Sequence, residues 1–197
     1  EGGGAEPLTS GACGLPFATH YVSVTNTVAF TLADGLRIGQ RKRIECSAVS
    51  GTPVGTLTPA DVAGSEPATW VFTAVGQAIV LEWTSGGWKL VTLHQAGTET
   101  VANAGTANPL CILHLVSIAD TVDFIQGDGI VAGQRSIWLA SANSGTPVGT
   151  VSGLFYDEDG SADGIDVNFN AAGDSAALEW GGARWFAYSL VSATVST

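Results

Sequence analysis

Two stretches of the chain decide its fold: His20–Thr56, HYVSVTNTVAFTLADGLRIGQRKRIECSAVSGTPVGT, and His114–Thr150, HLVSIADTVDFIQGDGIVAGQRSIWLASANSGTPVGT. They align without a gap at an offset of 94, with about twenty of 37 positions identical, and the block SGTPVGT recurs whole at Ser50–Thr56 and Ser144–Thr150. After three extra residues in the second copy the match resumes at an offset of 97. There Phe72, Gly76, Leu81-Glu82-Trp83 and Trp88 meet Phe169, Gly173, Leu178-Glu179-Trp180 and Trp185. The chain therefore reads as a duplicated module. A period near 95 is too long for a solenoid repeat and suits a small independent domain.

The local pattern says what kind of domain. Tyr21–Thr25, Val28–Leu32, Thr69–Thr73, Ala78–Trp83 and Trp88–Leu93 are short runs rich in β-branched and aromatic residues. Turn chemistry bounds them at Ala33-Asp34-Gly35, Ser50-Gly51-Thr52-Pro53, Val75-Gly76 and Ser85-Gly86-Gly87. No stretch sustains a helical period with caps, and 26 glycines argue against long helices. The expected fold is all-β: two tandem sandwich-like or jelly-roll-like modules. The first spans residues 17–94 and the second 110–197. Residues 1–16 are expected to form a flexible Gly-rich arm and 95–109, QAGTETVANAGTANP, a linker.

Composition narrows the partners. Of 197 residues 45% are hydrophobic and 13% charged, which excludes intrinsic disorder. The longest apolar runs, such as Ala78–Leu81, are strand-length, so no membrane-spanning helix is expected. The net charge of −11 opposes nucleic acid. Arg37 and Arg41-Lys42-Arg43 form the single basic cluster, a local holder for a polyanion at most. The chain has no methionine, so Glu1 is read as following a removed leader or as starting inside the gene product.

Six tryptophans can serve as core or as sugar-stacking platforms. Trp83, Trp88, Trp180 and Trp185 occupy matched places and are expected in the repeat core with Phe72 and Phe169. Trp70 and Trp138 lack an aromatic counterpart and are expected at surface contacts. His20 and His114 also match, so one structural role filled twice is expected; Cys111 and His114 could present two metal ligands together on a helix, but their context is a strand start. Glu82 and Glu179 belong to separate modules and read as solvent-facing strand positions rather than as a glycosidase pair. No nucleophile elbow, HExxH, Walker A or dinucleotide fingerprint is present, and the chain is expected not to be an enzyme. The second copy's insertion gathers five carboxylates in Asp157–Asp166, with Asp157, Asp159 and Asp163 as candidate Ca²⁺ ligands set against a solvated loop. No other cofactor is implied. Cys13 and Cys111 each precede a repeat and form the one disulfide candidate, against buried thiols.

Several segments together carry a resemblance. They are Val28–Leu32, Gly39-Gln40-Arg41-Lys42, the SGTPVGTLTP segment, Val75–Trp83 and Gly87–Val91, repeated around Gly133-Gln134-Arg135, Ala172–Ser175 and Leu178–Trp180. Each module resembles the small β domains of tailed-bacteriophage virion proteins: head decoration proteins, head fibres and tail-fibre segments. The resemblance implies a structural virion protein on the particle surface that binds the major capsid protein or other virion proteins and self-associates as a homo-oligomer. The alternative is a glycan- or receptor-binding β-sandwich module of a tail fibre or a secreted, extracellular protein.

Overall fold

The computed structural model describes residues 4–119, 121–144, 148–156 and 164–196. Every regular element in them is a strand, and the chain divides into two units, Glu1–Gly97 and Thr98–Thr197. The protein is all-β.

The first unit contains β1 (Ala5–Leu8), β2 (Gly11–Cys13), β3 (Thr19–Leu32), β4 (Arg41–Pro59), β5 (Trp70–Phe72), β6 (Ala78–Thr84) and β7 (Gly87–His94). Its long strands β3 and β4 are parallel, Thr19 opposite Arg43 and Leu32 opposite Pro59. Only residues 33–40 join them, and eight residues reach at most about 30 Å. A straight β3 would run about 46 Å. The strand must therefore bend along its length.

It does so at Asn26, whose φ of 57° lies in the left-handed region, opposite Gly51 with φ 71°. The register jumps there, from Thr25↔Ser50 to Thr27↔Val54. Ser50–Pro53, expected as a turn bounding strands, is thus a corner inside one bent strand. The two arms of each bent strand enclose the core. Val22 and Val24 before the corner, Phe30 and Leu32 after it, and Ile44 and Leu57 on β4 are fully buried. Gly55 sits between the arms, where a Cβ would collide with Val24 and crowd Phe30. Gly149, the same residue of the second SGTPVGT, sits likewise against Ile118 and Phe124. The recurrence of that block has a packing reason.

Parallel rungs β1 and β2 lie on β3, and antiparallel β6 and β7 extend from β4. Residues 5–13, expected in a flexible arm, are therefore part of the sheet. The pairing mixes parallel rungs with antiparallel hairpins, where a jelly roll is antiparallel throughout.

The second unit contains β8 (Thr98–Thr100), β9 (Leu113–Ile118), β10 (Val122–Ile125), β11 (Arg135–Asn143), β12 (Gly149–Tyr156), β13 (Gly164–Phe169), β14 (Ser175–Trp180), β15 (Trp185–Val191) and β16 (Thr194–Ser196). Parallel pairs β8–β9, β9–β11 and β10–β12 correspond to β1–β3 and the two arms of β3–β4. Antiparallel β14 and β15 follow β11, and β13 and β16 follow β12. Residues 98–100, expected in a linker, form the leading strand of this unit.

The tryptophan hairpins recur. Trp83 pairs across the strands with Trp88 and Trp180 with Trp185, both at ring separations of 5.4 Å. Trp88 donates its indole N–H to the Ala33 carbonyl and Trp185 to that of Gly127, each at 2.9 Å. Trp88, Trp180, Trp185, Phe72 and Phe169 are buried, and Trp83 is half-buried. Trp70 and Trp138, expected at the surface, are buried too, at 2% and 0% exposure. Their counterparts by the repeat, Val167 and Ile44, are also fully buried, so the repeat exchanged side-chain size inside the core.

Gly35 and Gly129 lie flat against Trp83 and Trp180, where a Cβ would fall inside the ring. Gly35→Ala and Gly129→Ala should each destabilise their own unit by about 1–3 kcal/mol through overpacking, read from denaturant melts. Gly86→Ala, with open space at the same hairpin, is the control.

Candidate functional site

The chemistry-bearing side chains gather where the leading strand of each unit meets the next rung. Glu6 on β1 pairs by register with His20 on β3; its carboxylate accepts from His20 Nδ1 at 2.9 Å and from the Gly14 backbone N–H at 2.8 Å. Glu99 on β8 does the same for His114 Nδ1 at 2.7 Å and the Asn108 N–H at 2.7 Å. Both histidines are buried. Each pair ties its leading strand to the body of the unit, so the matched histidines share one role.

Lys42 completes the first of these clusters. It is 1% exposed, and its ammonium donates to the carbonyls of Gly14 at 3.0 Å, Leu15 at 2.6 Å and Phe17. A lysine has three donors, and all three are satisfied by the turn between β2 and β3. Burial lowers its pKa from 10.5, opposed by Cys13 and Glu6. In the second unit Ser136 stands at this place. Its hydroxyl donates to Gln126 Oε1 at 2.6 Å, which also accepts from the Trp138 indole N–H at 2.7 Å. One polar anchor has been exchanged for another.

The remaining polar motif residues also serve the fold. Gln40 and Gln134 of the two GQR motifs accept from the Leu36 and Ile130 N–H and donate to the Leu15 and Pro109 carbonyls. Gln77 and its counterpart Asp174 each accept from two consecutive backbone N–H groups. Glu82 and Glu179 are half-exposed and paired with Arg41 at 2.6 Å and Arg135 at 3.3 Å.

Three side chains of the basic cluster are engaged within the fold. Lys42 is buried on carbonyls, Arg41 holds Glu82, and Arg43 holds Glu45 at 2.9 Å. Around them lies a groove of about 560 Å³ lined by Leu15, Pro16, Phe17, Leu36, Arg37 and Lys42, among others. Cys13 and Cys111 are not joined; each is a buried thiol within its own unit, as is Cys46. Burial pushes Cys13 and Cys46 up to about 11. Asp157, Asp159 and Asp163, the candidate Ca²⁺ ligands, lie outside the described residues. Among the described residues, no group of three or more His, Cys, Asp or Glu side chains gathers in metal-binding geometry.

One pH dependence follows from this cluster. Burial, and next the Lys42 charge, lower the His20 pKa below its ordinary 6.5, with Glu6 opposing. The unfolded chain then takes up this proton before the folded one does, so stability is full above pH 6.5 and falls as pH drops below it. Urea midpoints of the first unit should decline from pH 7 to pH 5, and His20→Gln should flatten that slope.

No protein-family model matches the chain, and no curated protein matches it. Among solved structures, one described as "Structure of a chaperone-substrate complex" is similar over 96% of this chain and 33% of that one, at 11% identity and a TM-score of 0.37. The chain spans about a third of the length of that structure.

Proposed function

We propose that this chain is a non-catalytic structural protein of a virion surface, a capsid decoration or head-fibre component that attaches in many copies to an ordered array. The observation that carries this reading over a sugar-binding one is the burial of the tryptophans. Five of the six are at most 5% exposed, so those five rings cannot serve as stacking platforms for a glycan. His20, His114, Glu82 and Glu179, the titratable residues matched by the repeat, support it further, since each ties strands together. The resemblance of the modules to phage virion β domains supplies the particle. A −11 chain keeps dense particles apart in solution, which suits such a surface.

The test is cosedimentation. Purified chain mixed with particles that lack it should saturate at a fixed copy number per particle. It should show no binding to immobilised oligosaccharides. Defined oligosaccharide binding with no particle binding would overturn the proposal. Removing Glu1–Gly14 is not a clean probe of attachment, because that segment holds β1, β2 and the Glu6–His20 tie.

A further inference from the structure

The two units differ most on one surface. The outward-facing positions of β9, β11 and β15 carry Leu113, Leu115, Ile137, Leu139, Phe186 and Tyr188 in the second unit. At the matched positions the first unit carries Thr19, Tyr21, Arg43, Glu45, Lys89 and Val91. Phe186 and Tyr188 are 40% and 46% exposed, and the four aliphatic residues are half-buried. Register makes them one patch: Leu113 lies beside Ile137, Leu115 beside Leu139, and Ile137 beside Ala177. The same module folds with charges at three of these six places, Arg43, Glu45 and Lys89, so the fold does not require an apolar residue there. Something outside the unit accounts for it.

We infer that this face is a self-association surface, and that it takes the same face of a second copy of this chain. Charge selects the occupant. Residues 98–197 carry eleven acidic and two basic side chains, and among the described residues the charged side chains of this face are Arg135 and Glu179, adjacent across β11 and β14. A two-fold pairing sets Arg135 of each copy against Glu179 of the other, so the face complements itself. Arg135 also lies over the Tyr188 ring at 5.9 Å, which places the charged pair at the edge of the aromatic patch. The inference rests on the proposal that the chain works in many copies. From strand spacing and rise, the five strands β8, β9, β11, β14 and β15 present about 400 Å² per copy. A stable complex takes about 800 Å² per partner. The pairing is therefore weak in dilute solution, with a Kd of order 0.1–1 mM. It closes when neighbouring sites hold copies at millimolar effective concentration.

The test is sedimentation equilibrium of the full chain from about 10 µM to about 1 mM, spanning that range. The wild-type mass should rise towards that of a dimer. Ile137→Arg, Leu139→Glu and Phe186→Lys together install the residues that the first unit already tolerates. They should keep the chain monomeric with an unchanged circular dichroism spectrum. A second set keeps the result readable if that triple variant misfolds. Arg135→Glu alone and Glu179→Arg alone should each associate about tenfold more weakly, while an equimolar mixture of the two should pair as well as wild type. Only contacts between copies produce that rescue. A wild type that stays monomeric throughout, or a triple variant or mixture that behaves otherwise, overturns the inference. Particle binding by a monomeric wild type would leave the proposed function standing. Dimers that ignore particles would do the reverse.

Discussion

Replacing Trp138 by alanine should cost the second unit about 3–5 kcal/mol, the usual range for a large ring removed from a packed core. The ring is fully buried, 4.9 Å from the His114 ring and 6.1 Å from that of Phe124. Its indole N–H is one of two donors to Gln126 Oε1. Trp138→Ala therefore opens a cavity between the rungs and leaves Gln126 Oε1 with Ser136 as its one remaining donor. Trp138→Phe keeps most of the apolar volume and loses the hydrogen bond, so about 1–2 kcal/mol is expected. Trp138→Ile should cost nearly as much as alanine, although Ile44 is native at the matched site. Ile44 has Lys42 and Leu32 as neighbours in the repeat, where Trp138 has Ser136 and Gln126. Chemical denaturation, following loss of the second unit, measures all three.

The second large effect belongs to Lys42. Lys42→Met retains the apolar stem and leaves the carbonyls of Gly14, Leu15 and Phe17 without their shared donor. Loss of a buried, charge-assisted network of this kind costs about 2–4 kcal/mol. The turn between β2 and β3 and the leading strand β1 should exchange amide hydrogens faster than the rest of the first unit. Lys42→Arg should not rescue, because a planar fork cannot point three donors at three converging carbonyls. Amide exchange of β1 and β2 equal to wild type in Lys42→Met would show that the ammonium does not hold the turn.

The strands of the repeat were legible because alternation and turn residues carry them, and the tryptophan hairpins lie where LEW and its following Trp predict. The leading strands were not. Ala5–Leu8 and Thr98–Thr100 are too short to alternate, and their glycine-rich surroundings resemble linker. The available signal was a glutamate some fourteen residues before each matched histidine, Glu6 before His20 and Glu99 before His114. Ser50–Pro53 reads as a turn bounding strands, because turn chemistry marks a bend whether the strand ends there or continues. Whether the chain turns back or continues depends on the parallel pairing of β3 with β4, which is a long-range fact. Trp70 and Trp138 were misplaced because a repeat compares sequence positions one at a time, whereas a core conserves total volume across neighbours.

The most direct measurement is a reconstruction of the particle with this chain bound. The expected density is paired β units at regular outer lattice positions, with the β9–β11–β15 face of each second unit against that of a neighbouring copy. A particle surface without this chain, together with purified chain that crystallises as a monomer around an oligosaccharide, would contradict it.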